Sequence, residues 1–249
     1  MGCLLGVDGL ASRAAELDLL REAGVDLRLV RLNRGPVFEN LDVLGHRRQR
    51  WRSKSDQIPV SAFPSAWLGA SGWLLVPVAG EVGEGWAKVP ASGARIAVGA
   101  QGMMREFADD GSVRRVEPGP SALLGAAGLV CASLDDMSPG TELRRFSQLA
   151  PGAAVVLTGG NGGGVVLRGG ELMRYRAIAT NRMLDSTGAG DVLLAALMTA
   201  WLVTGELATF RAVRFAAAAG SCAVEGVGLS GVPTRAQVAE RLRSAAPAA

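Results

Sequence analysis

DSTGAGD, residues 185–191, runs directly into the apolar segment VLLAALMTAWLV, residues 192–203. Two carboxylates therefore bracket very small residues at the point where a helix is predicted to begin. The first N–H groups of a helix have no intrahelical partner, and the helix dipole makes that end positive. Because Gly188, Ala189 and Gly190 carry no bulky side chain, their amides can approach an anion closely, most naturally a phosphate.

The two aspartates of this stretch have different predicted roles. Asp191 lies in the first turn, where a carboxylate is a poor phosphate ligand but can take the proton from an attacking hydroxyl. Asp185, on the other lip of the loop, is a candidate for holding Mg²⁺ directly or through water. The structural alternative is an aspartate-capped helix entered through a glycine-rich turn. The spacing of the carboxylates favours the functional interpretation.

A second glycine-rich stretch, VVLTGGNGGGVVL, occupies residues 155–167. A strand is predicted to lead into Thr158, Gly160 and Gly163, and a second short strand follows. The stretch lacks GK[ST] and no helix follows it directly, so it is not a Walker A loop. It is a candidate floor for a nucleotide, and a simple glycine-rich hairpin explains it equally well.

Short apolar segments alternate with amphipathic ones along most of the chain. This pattern predicts an α/β fold, a Rossmann-like three-layer αβα arrangement with a mostly parallel sheet covered on both faces. Residues 34–58 are more polar and predict a projecting hairpin, a small β lid. No linker divides the chain, so residues 1–249 are interpreted as one domain. The predicted strands are CLLGV (3–7), DLRLV (26–30), WLLVPV (73–78), RIAVGA (95–100), GLVCAS (128–133) and AAVVLTG (153–159).

Composition narrows the class of protein. The net charge of +3 is too small to indicate a nucleic-acid partner. Three scattered cysteines and a single histidine, His46, cannot assemble a zinc site of the usual kind. The apolar run after Asp191 is shorter than a membrane span, and the N-terminus lacks the pattern of a secretory leader. We therefore expect a cytoplasmic protein with no membrane partner.

The motifs resemble those of one enzyme family. DSTGAGD resembles D-T-x-G-A-G-D, the signature of the ribokinase-like (PfkB) carbohydrate kinases, and TGGNGG (158–163) resembles the family's T-x-G-x-x-G. RFAAAAGSCAVEGVGLSGVPTRAQV (214–238) is similar to its adenine-side helix and terminal turn. AQGMMR (100–105) is similar to a D/A-Q-G-x-x-R segment, and SLDD (133–136) stands where N-x-x-E is usual. The last two segments look most like the myo-inositol kinase branch.

The resemblance implies ATP-dependent phosphorylation of a hydroxyl on a small polyol or sugar, a myo-inositol-like acceptor being favoured. It implies Mg²⁺ as a cofactor and allows a K⁺ site near the C-terminal loop. Asp191 is then the catalytic base, and Gly188, Ala189 and Gly190 form the anion hole. The remaining candidates are Thr158, Gly160, Gly163, Ala217, Gly228 and Asp185 for the nucleotide, Ser133 and Asp136 for the metal, and Gln101, Arg105 and Asn40 for the substrate.

The sequence also departs from the family pattern. Ser133 replaces an asparagine and Asp136 replaces a longer glutamate, although both keep oxygen ligands. The usual first strand and G-G-x-x-x-N segment have no counterpart, so the chain is expected to begin after the first sugar-binding elements. An uncovered sheet edge would favour a homodimer.

These departures keep two alternatives open, a catalytically silent nucleotide- or polyol-binding protein and a nucleoside kinase. A Rossmann dehydrogenase is disfavoured, because no GxGxxG follows the first strand.

Overall fold

The structure is a computed structural model that describes residues 1–43 and 46–245, with side chains described outside residues 40–48. Alternating apolar and amphipathic segments form strands and helices much as their periodicity predicts. The strands are β1 (Gly2–Val7), β2 (Asp26–Arg31), β3 (Val37–Val43), β4 (His46–Ser53), β5 (Gly72–Leu75), β6 (Arg95–Gly99), β7 (Arg105–Phe107), β8 (Val113–Arg115), β9 (Leu129–Ser133), β10 (Ala154–Thr158), β11 (Gly164–Arg168) and β12 (Glu171–Tyr175). The α-helices are α1 (Glu16–Glu22), α2 (Ala122–Ala126), α3 (Arg144–Leu149), α4 (Ala189–Thr204), α5 (Phe210–Ala223) and α6 (Arg235–Ser244).

The central element is a six-stranded sheet in the order β12-β11-β10-β9-β6-β5. Strands β5, β6, β9 and β10 run parallel, whereas β11 and β12 are added as antiparallel neighbours. Strands β9 and β10 are continuous apolar runs, as expected for strands that are covered on both faces. Their carboxyl ends therefore meet at one edge of the sheet, where ligands bind in open α/β folds.

Helices cover both faces of this sheet, and each face has its own core. On one face, Leu129 and Val156 pack against α4 and α5 through Leu194, Leu197 and Val213. On the other face, the alternate strand residues, such as Val130 and Val155, pack against Leu123 of α2 and Phe146 of α3. The predicted three-layer αβα architecture is confirmed.

The first two predicted strands are separate from the central sheet. β1 pairs in parallel with β2, and the two form a two-stranded sheet of their own. In the part of the chain that the structure describes, β5 is hydrogen-bonded to β6 on one side only, which makes it an edge strand.

The polar segment predicted to project does form an antiparallel hairpin of β3 and β4. This hairpin rests on a second one, made by β7 and β8. The Trp51 ring meets Phe107 edge-on at 5.8 Å, and its Nε1–H donates to the Ala108 carbonyl at 2.7 Å. The Trp51 amide also donates to the Gly111 carbonyl at 3.0 Å. The lid candidate is therefore anchored to the segment that begins at Arg105.

Two threonines fix the starts of the C-terminal helices. The Thr209 hydroxyl accepts from the Ala212 amide, and Thr234 forms a reciprocal capping box with Gln237. Among the helices of the described residues, none is long and apolar enough to cross a membrane.

Candidate active site

The DSTGAGD loop lies at the N-terminus of α4. Gly188 is the residue before the helix and has a φ of 82°, a left-handed conformation that strongly favours glycine. A β-carbon added at Gly188 or Gly190 would meet no heavy atom within 4 Å. The first-turn amides of α4 lack intrahelical acceptors. The Ala189 amide makes one long bond, 3.4 Å, to the Ser186 carbonyl, and the loop offers N–H donors beside open space. This is the geometry that an incoming phosphate needs.

Asp191 lies in the first turn of α4 and remains exposed to solvent. Partial burial nevertheless raises the pKa of its carboxyl group. In the described part of the chain, its carboxylate makes no hydrogen bond or ion pair that would offset this effect. Burial, with a smaller contribution from the negative charge of Asp191, also raises the pKa of the Cys131 thiol in β9. Asp191 is therefore close to Cys131 of β9, accessible to a substrate yet partly desolvated.

Asp185 ties the loop to the C-terminal turn. Its Oδ1 accepts from the Thr187 amide at 2.8 Å, and its Oδ2 accepts from the Gly228 amide at 3.2 Å. The amides of Leu184 and Asp185 both donate to the Val224 carbonyl, at 2.8 and 3.2 Å. Asp185 thus brings two predicted nucleotide elements together, and its suggested contact with Mg²⁺ stays a prediction.

The second glycine-rich stretch forms the tight turn between β10 and β11. Gly163 has a φ of 86°, and a β-carbon there would collide with the Tyr175 carbonyl and the Ala177 amide. Gly160 is also left-handed, with a φ of 53°, but faces open space. Thr158 pairs with Ser133 across β10 and β9, so the turn lies at the sheet edge that also carries the Ser133 segment. The glycine-rich hairpin is confirmed, and the role of this turn as the floor of a nucleotide site stays a prediction.

Ala217 has a different environment from the other nucleotide candidates. It lies on α5 within the core between the sheet and α4, and its exposed fraction is 7%. The same helix comes close to the loop at Gly220, where a β-carbon would lie 3.4 Å from the Ala189 carbonyl oxygen. Small residues on α5 therefore allow it to pack near the start of α4, and the role of Ala217 in lining the nucleotide site stays a prediction.

Gln101, Arg105 and Asp136 meet at the ends of β6 and β9. Gln101 Nε2 donates to Asp136 Oδ2 at 2.7 Å, and Arg105 Nη2 donates to Asp136 Oδ1 at 2.9 Å. Ser133 instead caps its own turn, its Oγ accepting from the Asp135 amide at 3.1 Å. The structure thus joins two substrate candidates to a metal candidate.

The backbone of Asn40 lies in β3, but its side chain lies outside the described residues. Across the residues that are described, no group of three or more His, Cys, Asp or Glu side chains has the arrangement of a metal site. Magnesium and potassium stay predictions.

Sequence reasoning missed a network built on Glu225. Its carboxylate accepts from Arg241 Nη2 at 2.7 Å, from the Asn181 amide at 2.7 Å and from the Thr180 hydroxyl at 2.8 Å. Arg241 Nη1 also donates to the Ala179 carbonyl at 2.9 Å. The network therefore holds in place the segment that enters the DSTGAGD loop. A separation of 16 residues between Glu225 and Arg241 gives no recognisable motif in the sequence.

Comparison with solved structures gives the class of fold. The chain superposes on ribokinase from Thermotoga maritima with a TM-score of 0.69 and 16% identity, covering 97% of this chain and 80% of that one. It superposes on Arabidopsis thaliana ribokinase, complexed with ribose and ATP, with a TM-score of 0.66 and 22% identity, covering 96% and 80%. A pyrophosphate-dependent kinase of the ribokinase family, complexed with a pyrophosphate analog and myo-inositol, gives 0.70 and 20%, covering 95% and 84%. The fold is that of the ribokinases.

Comparison of the sequence with protein families adds a second finding. Residues 127–235, which include both glycine-rich stretches, match the profile of the pfkB family carbohydrate kinases. The comparison with curated protein sequences gave no match. The resemblance drawn from DSTGAGD and TGGNGG is confirmed over this region, and it supports a phosphotransferase.

Proposed function

We propose that the protein transfers a phosphoryl group from ATP to a hydroxyl of a small polyol or sugar, a myo-inositol-like acceptor being favoured. The observation that carries this proposal is the position of Asp191. Its carboxylate is accessible, has a raised pKa, and lies in the first turn of a helix entered through a left-handed glycine with open space beside it. The pfkB match includes this loop.

Asp191 is the proposed general base. A carboxylate that is poorly hydrated is a stronger proton acceptor than one that is fully solvated. It takes the proton of the acceptor hydroxyl as that oxygen attacks the γ-phosphorus, while the bond from this phosphorus to the β-phosphate oxygen breaks and ADP leaves. The amides of Ala189 and Gly190, at the positive end of α4, stabilise the negative charge on the transferred group. Phosphoryl transfer needs little more than this combination of positioning and charge stabilisation.

The donor site is proposed between the Gly160–Gly163 turn and the Gly228 turn. Asp185 joins the DSTGAGD loop to the Gly228 turn, and the tip of the other turn is open at Gly160. Magnesium supplies neutralising charge to the phosphates in reactions of this kind. One or two carboxylates together with the donor phosphates usually hold such a cation, and Asp185 is the residue that would hold it here, directly or through water.

The acceptor site is proposed beneath the hairpin of β3 and β4. Gln101 and Arg105 lie at the carboxyl end of β6, on the sheet edge where ligands bind in this class of fold. The hairpin is anchored through Trp51 to the β7–β8 hairpin, which itself begins at Arg105. This connection supports the interpretation of residues 34–58 as a lid over the acceptor.

The test is a turnover assay with purified protein over a panel of acceptors and two donors. Mg-ATP and Mg-pyrophosphate are each offered with myo-inositol, other polyols, sugars and nucleosides, and product is measured directly. We expect turnover with ATP and one polyol or sugar, and its loss in Asp191→Asn. Asp18→Asn is the matched control, since Asp18 is an exposed aspartate of α1.

Other outcomes of the panel identify the alternatives. Turnover of a nucleoside alone would make the protein a nucleoside kinase, and turnover with pyrophosphate alone would replace ATP as the donor. Turnover that persists in Asp191→Asn would remove Asp191 from the mechanism. ATP binding without transfer to any acceptor would establish the catalytically silent protein in place of the kinase.

A further inference from the structure

The carboxylate of Asp136 bridges two side chains from another segment of the chain. Each of its oxygens accepts one hydrogen bond, Oδ2 from Gln101 and Oδ1 from Arg105. The donors lie 35 and 31 residues away in sequence. Asp136 is in the 3-10 helix that follows β9, and Gln101 and Arg105 follow β6, the neighbouring strand. The three side chains therefore meet where two parallel strands end.

The ion pair within this cluster is largely withdrawn from solvent. The side chains of Arg105 and Asp136 are each 13% exposed, whereas both partners of the surface pair between Arg21 and Asp18 are more than half exposed. Charge-assisted hydrogen bonds are strong where water screens them poorly, and removing one partner leaves the other charge without compensation. The ion pair and the hydrogen bonds therefore hold Gln101, Arg105 and Asp136 in one arrangement.

The oxygens of Asp136 and Ser133 do not form a magnesium site. The guanidinium of Arg105, 2.9 Å from Asp136 Oδ1, would repel a divalent cation placed against the same oxygen. The amide of Gln101 occupies the other oxygen. Ser133, the second metal candidate, already accepts a bond within its own turn. Magnesium requires near-ideal octahedral geometry, which this crowded and charge-neutral pair does not provide.

We propose that Asp136 is a positioning residue, which holds Gln101 and Arg105 in a fixed orientation for the acceptor instead of coordinating magnesium. The acceptor's identity as a polyol rests on the proposed function; the role of Asp136 in orienting the pair does not. A carboxylate accepts hydrogen bonds only, so it fixes the Gln101 amide with Nε2 towards Asp136. Oε1 is then left to accept from a hydroxyl, and the other guanidinium N–H groups of Arg105 are left to donate to one. A neutral molecule with neighbouring hydroxyl groups satisfies both.

Lengthening the side chain at position 136 separates the two roles, because glutamate keeps the carboxylate and adds one methylene. If position 136 held the metal, Asp136→Glu would keep a carboxylate ligand and would retain activity. If position 136 orients Arg105, the added methylene displaces the guanidinium and weakens acceptor binding.

The experiment measures acceptor and magnesium dependence separately. For Asp136→Asn and Asp136→Glu we expect the acceptor KM to rise roughly ten- to hundredfold, the usual effect of losing a charged hydrogen bond. The Mg²⁺ concentration for half-maximal activity should change by less than about twofold. Asp135→Asn, an exposed aspartate one residue away, removes the same charge and should change neither quantity. A tenfold rise in the Mg²⁺ requirement with an unchanged acceptor KM would overturn the proposal, as would no change in either.

A second measurement decides the proposal if no acceptor is turned over. Thermal unfolding is measured for Asp136→Asn, Arg105→Gln and the double variant, and calorimetry measures Mg²⁺-dependent binding of ATP. Positioning predicts a double variant no less stable than the less stable single variant, since each single variant leaves one charge uncompensated and the double variant leaves none, together with unchanged Mg²⁺-dependent ATP binding. Additive losses of stability, or a tenfold weakening of Mg²⁺-dependent ATP binding in Asp136→Asn, would overturn it.

Discussion

Asp191, at the start of α4, and Glu225, just after the end of α5, belong to two helices that pack together, but the environments of their carboxylates are opposite. Asp191 begins α4 and, among the described residues, has no polar partner, so burial raises the pKa of its carboxyl group. Glu225 follows α5. Burial alone would raise its pKa, but bonds from Arg241, Asn181 and Thr180 lower it to about 2. The first carboxylate is poised to accept a proton, and the second is fully used in holding the chain together.

The difference between these two carboxylates is tested most strongly by removing the charge of Asp191. Asp191→Asn should lower kcat roughly 10²- to 10⁴-fold, the usual contribution of a general base. The variant should be as stable as the parent near neutral pH, or up to a few degrees more stable, because a poorly hydrated charge is removed. Steady-state kinetics and thermal unfolding give the two values. A clearly less stable variant would mean that Asp191 supports the fold.

Removing the carboxylate of Glu225 should make the protein less stable, in contrast to Asp191→Asn. Glu225→Ala breaks three hydrogen bonds and leaves the largely buried Arg241 without its carboxylate partner, so we expect a loss of roughly 1–3 kcal/mol in the free energy of unfolding. The corresponding fall in Tm is roughly 3–10 °C.

The matched control for Glu225→Ala is Glu240→Ala, which removes the same group from an exposed pair with Arg243. It should cost less than about 1 kcal/mol. Equal losses of unfolding free energy at positions 225 and 240 would mean that Glu225 stabilises the fold no more than an exposed ion pair does.

The two carboxylates should also respond differently to acid. The folded-state pKa of Glu225, about 2, lies below its ordinary value of 4.5. Its stabilising contribution is therefore present above pH 4.5 and is lost as the pH falls towards 2. Over this range, Tm should fall more steeply for the parent than for Glu225→Gln. Parallel curves would show that the network does not depend on the charge of Glu225.

The smallest effect concerns the pH dependence of activity. Because burial raises the pKa of Asp191, kcat/KM should begin to fall, as the pH is lowered, above the ordinary aspartate range. The residual activity of Asp191→Asn should lack that acidic limb. If kcat/KM of both proteins falls at the same low pH, the group that titrates is not Asp191 but another one, such as a group of the substrate.

Local patterns predicted much of this architecture. Apolar runs identified the parallel strands β5, β6, β9 and β10 of the central sheet but not the edge strand β12, and the small residues of DSTGAGD identified the start of α4, because these properties are written in consecutive residues. The contacts of Asp136 and Glu225 could not be derived in this way. Their partners come from segments brought together only when the sheet and the C-terminal helices have packed. The sequence likewise could not indicate that β1 and β2 pair with each other and remain apart from the central sheet.

The strand order of the central sheet has a consequence for how the protein is made. From β5 to β12, each strand of this sheet lies beside the one that precedes it in the sheet along the chain, so no strand has to be inserted between two others. The sheet can grow as the polypeptide leaves the ribosome, by steps that close short loops. Helices α4 and α5, which pack on one apolar face of the sheet, are synthesised after all of its strands. Nascent chains that stop before Ala189 therefore expose that face, and during synthesis they are the species most in need of a chaperone.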